Sequence, residues 1–215
     1  MLLYNLYMEK IKIFFAHKIF KVIKWIFLIL LGLFIILIIW RVFDRANTAK
    51  INEQVEKIHS MKLSMDDVMG KNLPPDPGAL ADATIEGIDA NKNGIRDDVE
   101  LAVFKEYPNS AKTRAVLLQY ALALQMEVIQ PMVNKTTATE VVREQSKGFQ
   151  CIGEIVPRDD SKNFDDKTDF LTSFVVDKQF NTKERKDARN IFVENVRSYS
   201  DLEQICDIDV SKLSN

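Results

Sequence analysis

Residues 25–40 read WIFLILLGLFIILIIW, from Trp25 to Trp40, without a single charge. An α-helix rises 1.5 Å per residue, so these sixteen residues cover about 24 Å. The hydrocarbon core of a bilayer is ~30 Å thick and takes ~17–25 residues. Val22, Ile23, Val42 and Phe43 lengthen the apolar run. Lys24 and Arg41 interrupt it only at its ends, where long stems carry the charge out to the surface. Trp25 and Trp40 stand where aromatic side chains favour the membrane–water interface. The run has no polar face, unlike a helix half-buried in a soluble core. We read 22–43 as a transmembrane helix. Asn47-Thr48-Ala49 lacks the small first residue of a signal-peptidase site, so a retained anchor is expected. No Cys follows the run before Cys151, which argues against a lipoprotein.

Moving outward, residues 1–41 hold six basic side chains against Glu9 alone, whereas 42–215 hold 23 basic and 30 acidic. Lys10, Lys12, Lys18, Lys21 and Lys24 all precede the apolar run. The positive-inside rule therefore makes 1–21 a cytoplasmic basic segment, lying along the inner leaflet or continuing the helix, and sends the rest of the chain to the other side. The acidic outer part carries no basic patch interleaved with aromatics, so no nucleic-acid partner is expected.

The chain has 215 residues, 47% hydrophobic and 28% charged, with 7 Gly and 6 Pro. That is too apolar for disorder and too poor in Gly for a collagen or a loop-rich barrel. Ile51, Val55, Ile58, Met65, Val68 and Met69 recur at helical spacing, and Ser64-Met65-Asp66-Asp67 reads as a capping start. Residues 44–72 are thus a helical stalk of one or two helices. Its apolar face packs on its own domain or meets a partner. The segment Leu73-Pro74-Pro75-Asp76-Pro77-Gly78 breaks any helix.

Beyond it the expected helices run Asp97–Tyr107, stopped by Pro108, and Ser110–Gln130, with a broad apolar face and Pro131 as its stop. A third opens at a Thr137-Ala138-Thr139-Glu140 capping box and ends before Pro157. A fourth surrounds Phe170, Leu171, Phe174 and Val175, and a fifth Ala188, Phe192, Val196 and Tyr199. Ser200-Asp201-Leu202-Glu203 caps a short last one. No strand alternation appears. The expected class is all-α: a transmembrane helix, a stalk, and a compact extracytoplasmic domain, 73–215, of about five to six helices.

The sharpest local pattern spans 89–100, Asp-Ala-Asn-Lys-Asn-Gly-Ile-Arg-Asp-Asp-Val-Glu. It fits D-x-[DN]-x-[DN]-G-x5-E at every specified position. Ca²⁺ is a hard cation that takes six to eight oxygens. Alternate residues of a tight loop face inward, so Asp89, Asn91 and Asn93 supply side-chain oxygens at positions 1, 3 and 5. Gly94 allows the turn at position 6. Ile95 offers its carbonyl, Asp97 binds directly or through water, and Glu100 closes the set from the next helix. With at most three loop carboxylates, the expected affinity is on the order of 10⁻⁵–10⁻³ M. The alternative is a polar turn into an acid-capped helix, with no metal.

This loop resembles those of the EF-hand superfamily, and more closely its unpaired dockerin-like and thrombospondin type 3-like relatives. The resemblance covers twelve residues and implies Ca²⁺ as a bound ion. Arg96 stands at position 8, where paired hands place an aliphatic residue, and no second loop follows. A calmodulin-like opening is therefore not expected. The wider stretch, from Asp76-Pro77-Gly78 through the loop to Tyr107-Pro108-Asn109-Ser110, resembles a segment of uncharacterised bacterial envelope proteins. That likeness implies a location, the bacterial inner membrane with a periplasmic C-terminal domain, and no activity.

Cys151 and Cys206 both follow the anchor, and an oxidising compartment there favours a disulfide between them; two buried free thiols are the alternative. The histidines are His17 and His59, neither beyond residue 73. A Ser-His-Asp or Cys-His arrangement and a catalytic zinc site are therefore not expected. Asp159/Asp160 and Asp165/Asp166 read as solvated loop carboxylates, and His59 as a surface residue of the stalk. The expected role is non-enzymatic: a membrane-anchored binding or adaptor module with a protein partner in the envelope. Two alternatives remain, an immunity or inhibitor protein facing a periplasmic effector, and a carboxylate-dependent envelope hydrolase.

Overall fold

The computed structural model describes residues 2–199 and 204–215. Its described residues form seven α-helices and two short 3₁₀ turns, with no strand. The expected all-α class holds. The helices are α1 (Leu2–Ser60), α2 (Met65–Val68), α3 (Asp97–Glu106), α4 (Ala111–Ile129), α5 (Lys135–Ile155), α6 (Ser161–Gln179) and α7 (Lys183–Val193). The chain divides into two units, 1–50 and 51–215.

In the first unit the backbone is helical throughout the described residues. From Phe20 onward its large apolar side chains are exposed, Trp25 and Trp40 by about two-thirds. The helix is long and apolar enough to cross a membrane. No break separates residues 2–21 from the apolar run or that run from the start of the stalk. With no Pro before residue 74 and a solitary Gly at 32, nothing in the sequence interrupts the ladder.

The second unit is built around α4. The sequence predicts one broad apolar face there, but the helix is buried nearly all round, from Ala111 to Glu127. Small residues such as Ala115, Ala121 and Ala123 let neighbours close in on every side. A helix enclosed in this way lies at the centre of its domain. Three of its buried polar residues donate to carbonyls at or beyond the ends of other elements. Arg114 donates to the carbonyls of Val68, Tyr107 and Pro108. Gln119 donates to Ile205 O and accepts from the Asp207 N–H. Gln125 donates to Glu86 O. Buried amides and guanidinium groups left unmatched would cost more than such pairs contribute, so each is matched to a backbone group that lacks a helical partner.

Val99 and Val103 of α3, Ala138, Val141 and Ile152 of α5, Val175 of α6 and Phe192 of α7 complete the core. The end of α1 joins it: Ile58 is 1% exposed. Of the stalk's apolar face, Ile58 and Val68 pack into the second unit, while Met65 and Met69 stay exposed. Ser64 and Asp67 form the expected capping box of α2. The box expected at Thr137–Glu140 lies three residues earlier. Asn134 is the N-cap, accepting from the N–H groups of Thr136 and Thr137, while the Thr137 hydroxyl accepts from the Asn134 N–H. Asn is the better cap, and the earlier start lets Ala138 and Val141 enter the core within an extra helical turn. Asp165 and Asp166 sit on α6 rather than in a loop, and Asp160 caps that helix. The cap expected at Ser200–Glu203 lies outside the described residues.

Cys151 of α5 and Cys206 form a disulfide, with Cα atoms 5.2 Å apart. The bond fastens the C-terminal segment beside the Gln119 clamp. His59, expected as a plain surface residue, lies between Glu140 and Glu144, 3.1 and 3.0 Å away. It ties the last turn of α1 to α5. Burial works against the Glu144 charge, yet Lys147, His59 and Lys62 together hold that carboxyl below its ordinary range.

Candidate metal centre

The loop between the 3₁₀ turn Gly78–Asp82 and α3 is wound by its own side chains. Asp89 accepts from the N–H groups of Asn93 and Gly94, at 3.2 and 2.9 Å. Asn91 accepts from Asn93 N–H at 3.4 Å, and Asn93 from Ile95 N–H at 2.9 Å. Short Asx side chains favour such turns because their oxygen reaches a backbone N–H a residue or two on. Lys92 and Gly94 take left-handed backbone conformations, with φ of 60° and 85°. At Gly94 a side chain is excluded twice over, since a Cβ would also stand 2.7 Å from Leu122 Cδ1.

The loop closes onto the start of α3 in both directions. Asp97 N–H donates to Ile88 O at 2.8 Å, and the Asp97 carboxylate accepts from Ala90 N–H at 3.0 Å. Ile95 is fully buried and anchors the loop in the core. Glu100, one turn into α3, is 1% exposed and accepts from Asn91 Nδ2 at 3.0 Å. Asn91 Nδ2 also donates to Asn72 O.

The structure thus brings Asn91, Asn93 and Glu100 together, while Asp89 and Asp97 face backbone N–H groups of the same loop. Among the described residues, no three His, Cys, Asp or Glu side chains converge as metal ligands. The predicted set draws three of its six oxygens from elsewhere: two amides and the Ile95 carbonyl.

Electrostatically the centre is short of positive charge. Burial pushes the Glu100 carboxyl up to about 7; the amides of Asn91 and Asn93 offset part of this, and Asp67 and Asp97 add to it. Asp97 is raised as well, first by burial and then by Asp89 and Asp98, against the Ala90 N–H. No ion pair to Asp89, Asp97 or Glu100 occurs among the described residues. Asn93 Nδ2 is buried and, though close enough to soften Glu100, makes no hydrogen bond of proper geometry. In one small loop stand a buried carboxylate without a cation and an amide with an unmatched donor. Turned about, each amide would present its oxygen instead.

Arg96 and Arg185 were not marked by the sequence reading as buried anchors. Arg96 is fully buried; it pairs with Asp98 and donates to the carbonyls of Lys178 and Gln179 at 2.7 and 3.0 Å. At the position where a paired hand meets its twin, this loop instead caps the C-terminal end of α6. The signal was a charge where an aliphatic residue is usual. Arg185 is equally buried. It donates to Asp82, to Asn181 and to the carbonyls of Ala81, Thr84 and Ile85, so that α7 holds the segment leading into the loop.

A second buried carboxyl, Glu127 of α4, is pushed up to about 7 by burial, partly offset by Arg189 and Gln145. Neither Glu100 nor Glu127 lines the clefts at Lys186–Asn190, at Lys57–Lys62 or at Phe149–Glu154. No family model matches the chain, and neither a curated protein nor a solved structure matches it.

Proposed function

We propose that this chain is a single-pass protein of the bacterial inner membrane whose periplasmic helical domain holds one structural Ca²⁺. It acts as a non-enzymatic binding or adaptor module for a protein partner in the envelope. The observation that carries the metal assignment is Glu100, a buried carboxylate with only amide donors beside it, in a loop of oxygen-bearing side chains. Asp89, Asn91, Asn93, the Ile95 carbonyl, Asp97 and Glu100 would hold the cation. Its positive charge would compensate Glu100, and the two asparagines would turn oxygens toward it. Through Arg96 and Asp97 the same loop is tied to α6 and α3, so the ion would brace the helices around α4.

The Cys151–Cys206 bond supports an oxidising location, and the lysines ahead of the apolar run support a cytoplasmic N-terminus. The adaptor reading is supported by the burial of Glu100 and Glu127, 1% and 3% exposed, since acid catalysis needs a carboxyl open to substrate.

The test is a calcium titration of the full chain in nanodiscs, followed by calorimetry and thermal melting. Calcium at about 100 times its dissociation constant adds about 2.7 kcal/mol of stability. Asp89→Asn and Glu100→Gln are expected to abolish the response. Melting that ignores millimolar Ca²⁺ in the parent chain refutes the site. A phosphatase reporter fused after Asn215 tests the compartment separately: it is active only if the domain is periplasmic.

A further inference from the structure

We propose that the cleft between α6 and α7 binds a small organic monocarboxylate, with Arg189 and Lys186 as its cationic contacts and Asn190 as a neutral donor. This goes beyond the adaptor reading by naming a ligand class, and it does not depend on calcium.

The cleft encloses about 570 Å³ and is lined by Val176, Asp177, Phe180, Asn181, Lys186, Arg189 and Asn190. That volume suits a small molecule. Lys186, Arg189 and Asn190 stand at i, i+3 and i+4 on α7 and so share one face of it. Asn181 is already engaged, accepting from Arg185 and donating to Asp82. Lys186 and Asn190 are not: among the described residues their side chains make no hydrogen bond or ion pair.

Arg189 is held from two sides without being used up. Its guanidinium lies over the Phe180 ring, 4.5 Å from the centroid. Its Nε is 3.5 Å from the Glu127 carboxylate, which is itself buried in α4. That distance is an ion pair and not a hydrogen bond, and Glu127 Oε2 has no hydrogen-bond partner. The terminal Nη atoms likewise donate to nothing among the described residues. An arginine fixed in place with its fork unspent binds an oxyanion without a large ordering cost.

The lining also selects the kind of anion. Two cations face one carboxylate, Asp177, and Glu127 shares the Arg189 charge from behind. Such a balance suits a single negative charge and disfavours a phosphate dianion. Val176, only partly buried, offers an apolar wall for the body of the ligand, with Phe180 buried behind Arg189. A carboxylate carried on a flat or apolar framework fits both features.

The probe is benzoate, titrated into the full chain in nanodiscs by calorimetry, with empty nanodiscs as the blank. Benzamide is the neutral isostere and inorganic phosphate the anion without an apolar body. Benzoate is expected to bind saturably, with benzamide and phosphate each about tenfold weaker, the loss of about one charge-assisted contact. Arg189→Gln should abolish binding, but it also strips Glu127 of its cation and can unfold the chain. Lys186→Gln decides the matter, because Lys186 has no structural partner to lose. It should weaken benzoate about tenfold at an unchanged melting temperature. The proposal is overturned by an absence of saturable benzoate binding, by equal binding of benzamide or phosphate, or by a Lys186→Gln chain that binds benzoate as the parent does.

Discussion

A Cβ placed on Gly87 would stand 2.3 Å from Cδ of Arg96. The glycine leaves the channel through which Arg96 reaches the end of α6. It also has a φ of 72°, where a side chain is strained. Gly87→Ala therefore cannot keep both the backbone and the Arg96 contacts. It is expected to destabilise the chain by more than about 2 kcal/mol, measured as a lowered denaturation midpoint. A variant as stable as the parent would mean that Arg96 does not occupy this place.

Arg185 is the second buried guanidinium, and its donors meet a carboxylate, an amide and three carbonyls. Removing it leaves a cavity where a fully buried side chain stood and takes the donor from the buried Ala81 carbonyl, while Asp82 and Asn181 reach solvent. Arg185→Ala is expected to cost about 2–5 kcal/mol, through the cavity and the lost hydrogen bonds. Arg185→Lys should recover little, since an ammonium lacks the planar fork that meets several acceptors at once. Denaturant unfolding of both variants is the check, and full rescue by Lys would contradict the geometry.

Glu127 makes stability depend on pH in a direction that can be worked out. Its folded carboxyl titrates near 7, above the ordinary value of 4.5, because burial disfavours its charge. The folded state therefore binds the proton more tightly than the unfolded one. The associated stability is fully present below about pH 4.5 and is lost as pH rises through about 7. In the absence of calcium the melting temperature should fall between pH 5 and pH 8. Glu127→Gln should remove its share of that slope and leave the share of Glu100, which burial raises in the same way. Asp82, held below its usual range chiefly by the Arg185 hydrogen bonds, acts in the opposite sense and only at lower pH.

The Cys151–Cys206 bond closes a loop of 55 residues. In the chain-entropy account such a cross-link stabilises by about 4 kcal/mol, by restricting the unfolded chain. Cys206→Ser should lower the melting temperature and free the C-terminal segment from α5. Hydrogen exchange would show this as faster exchange at the Asp207 N–H, which Gln119 otherwise engages. Slow exchange unchanged by the substitution would mean that the Gln119 clamp holds the segment alone.

Much of the architecture was legible because it rests on local rules. The run Trp25–Trp40 holds no Pro and a single Gly, so nothing in it breaks a helical ladder. Pro108, Pro131 and Pro157 set the ends of helices that the structure shows close to where they were expected. The loop at 89–100 was visible because Asx residues and a glycine must recur at fixed steps to wind it. Less legible was the start of α5, where two good caps compete and the choice of Asn134 depends on what the next turn buries. His59 was read as a surface residue because its partners lie 81 and 85 positions away, on another helix.

The sequence by itself determined the all-helical class, the long apolar helix near the N-terminus and the Asx turns at 89–95, each of which follows from neighbours within a few turns of chain. Tertiary structure alone decided that α4 is enclosed on every side, that Arg96 spans from the loop to α6, and that Glu100 is a charge buried among amides. Burial is a property of what surrounds a residue from distant parts of the chain, and electrostatic cost follows burial. Identical side chains on an exposed helix would carry neither.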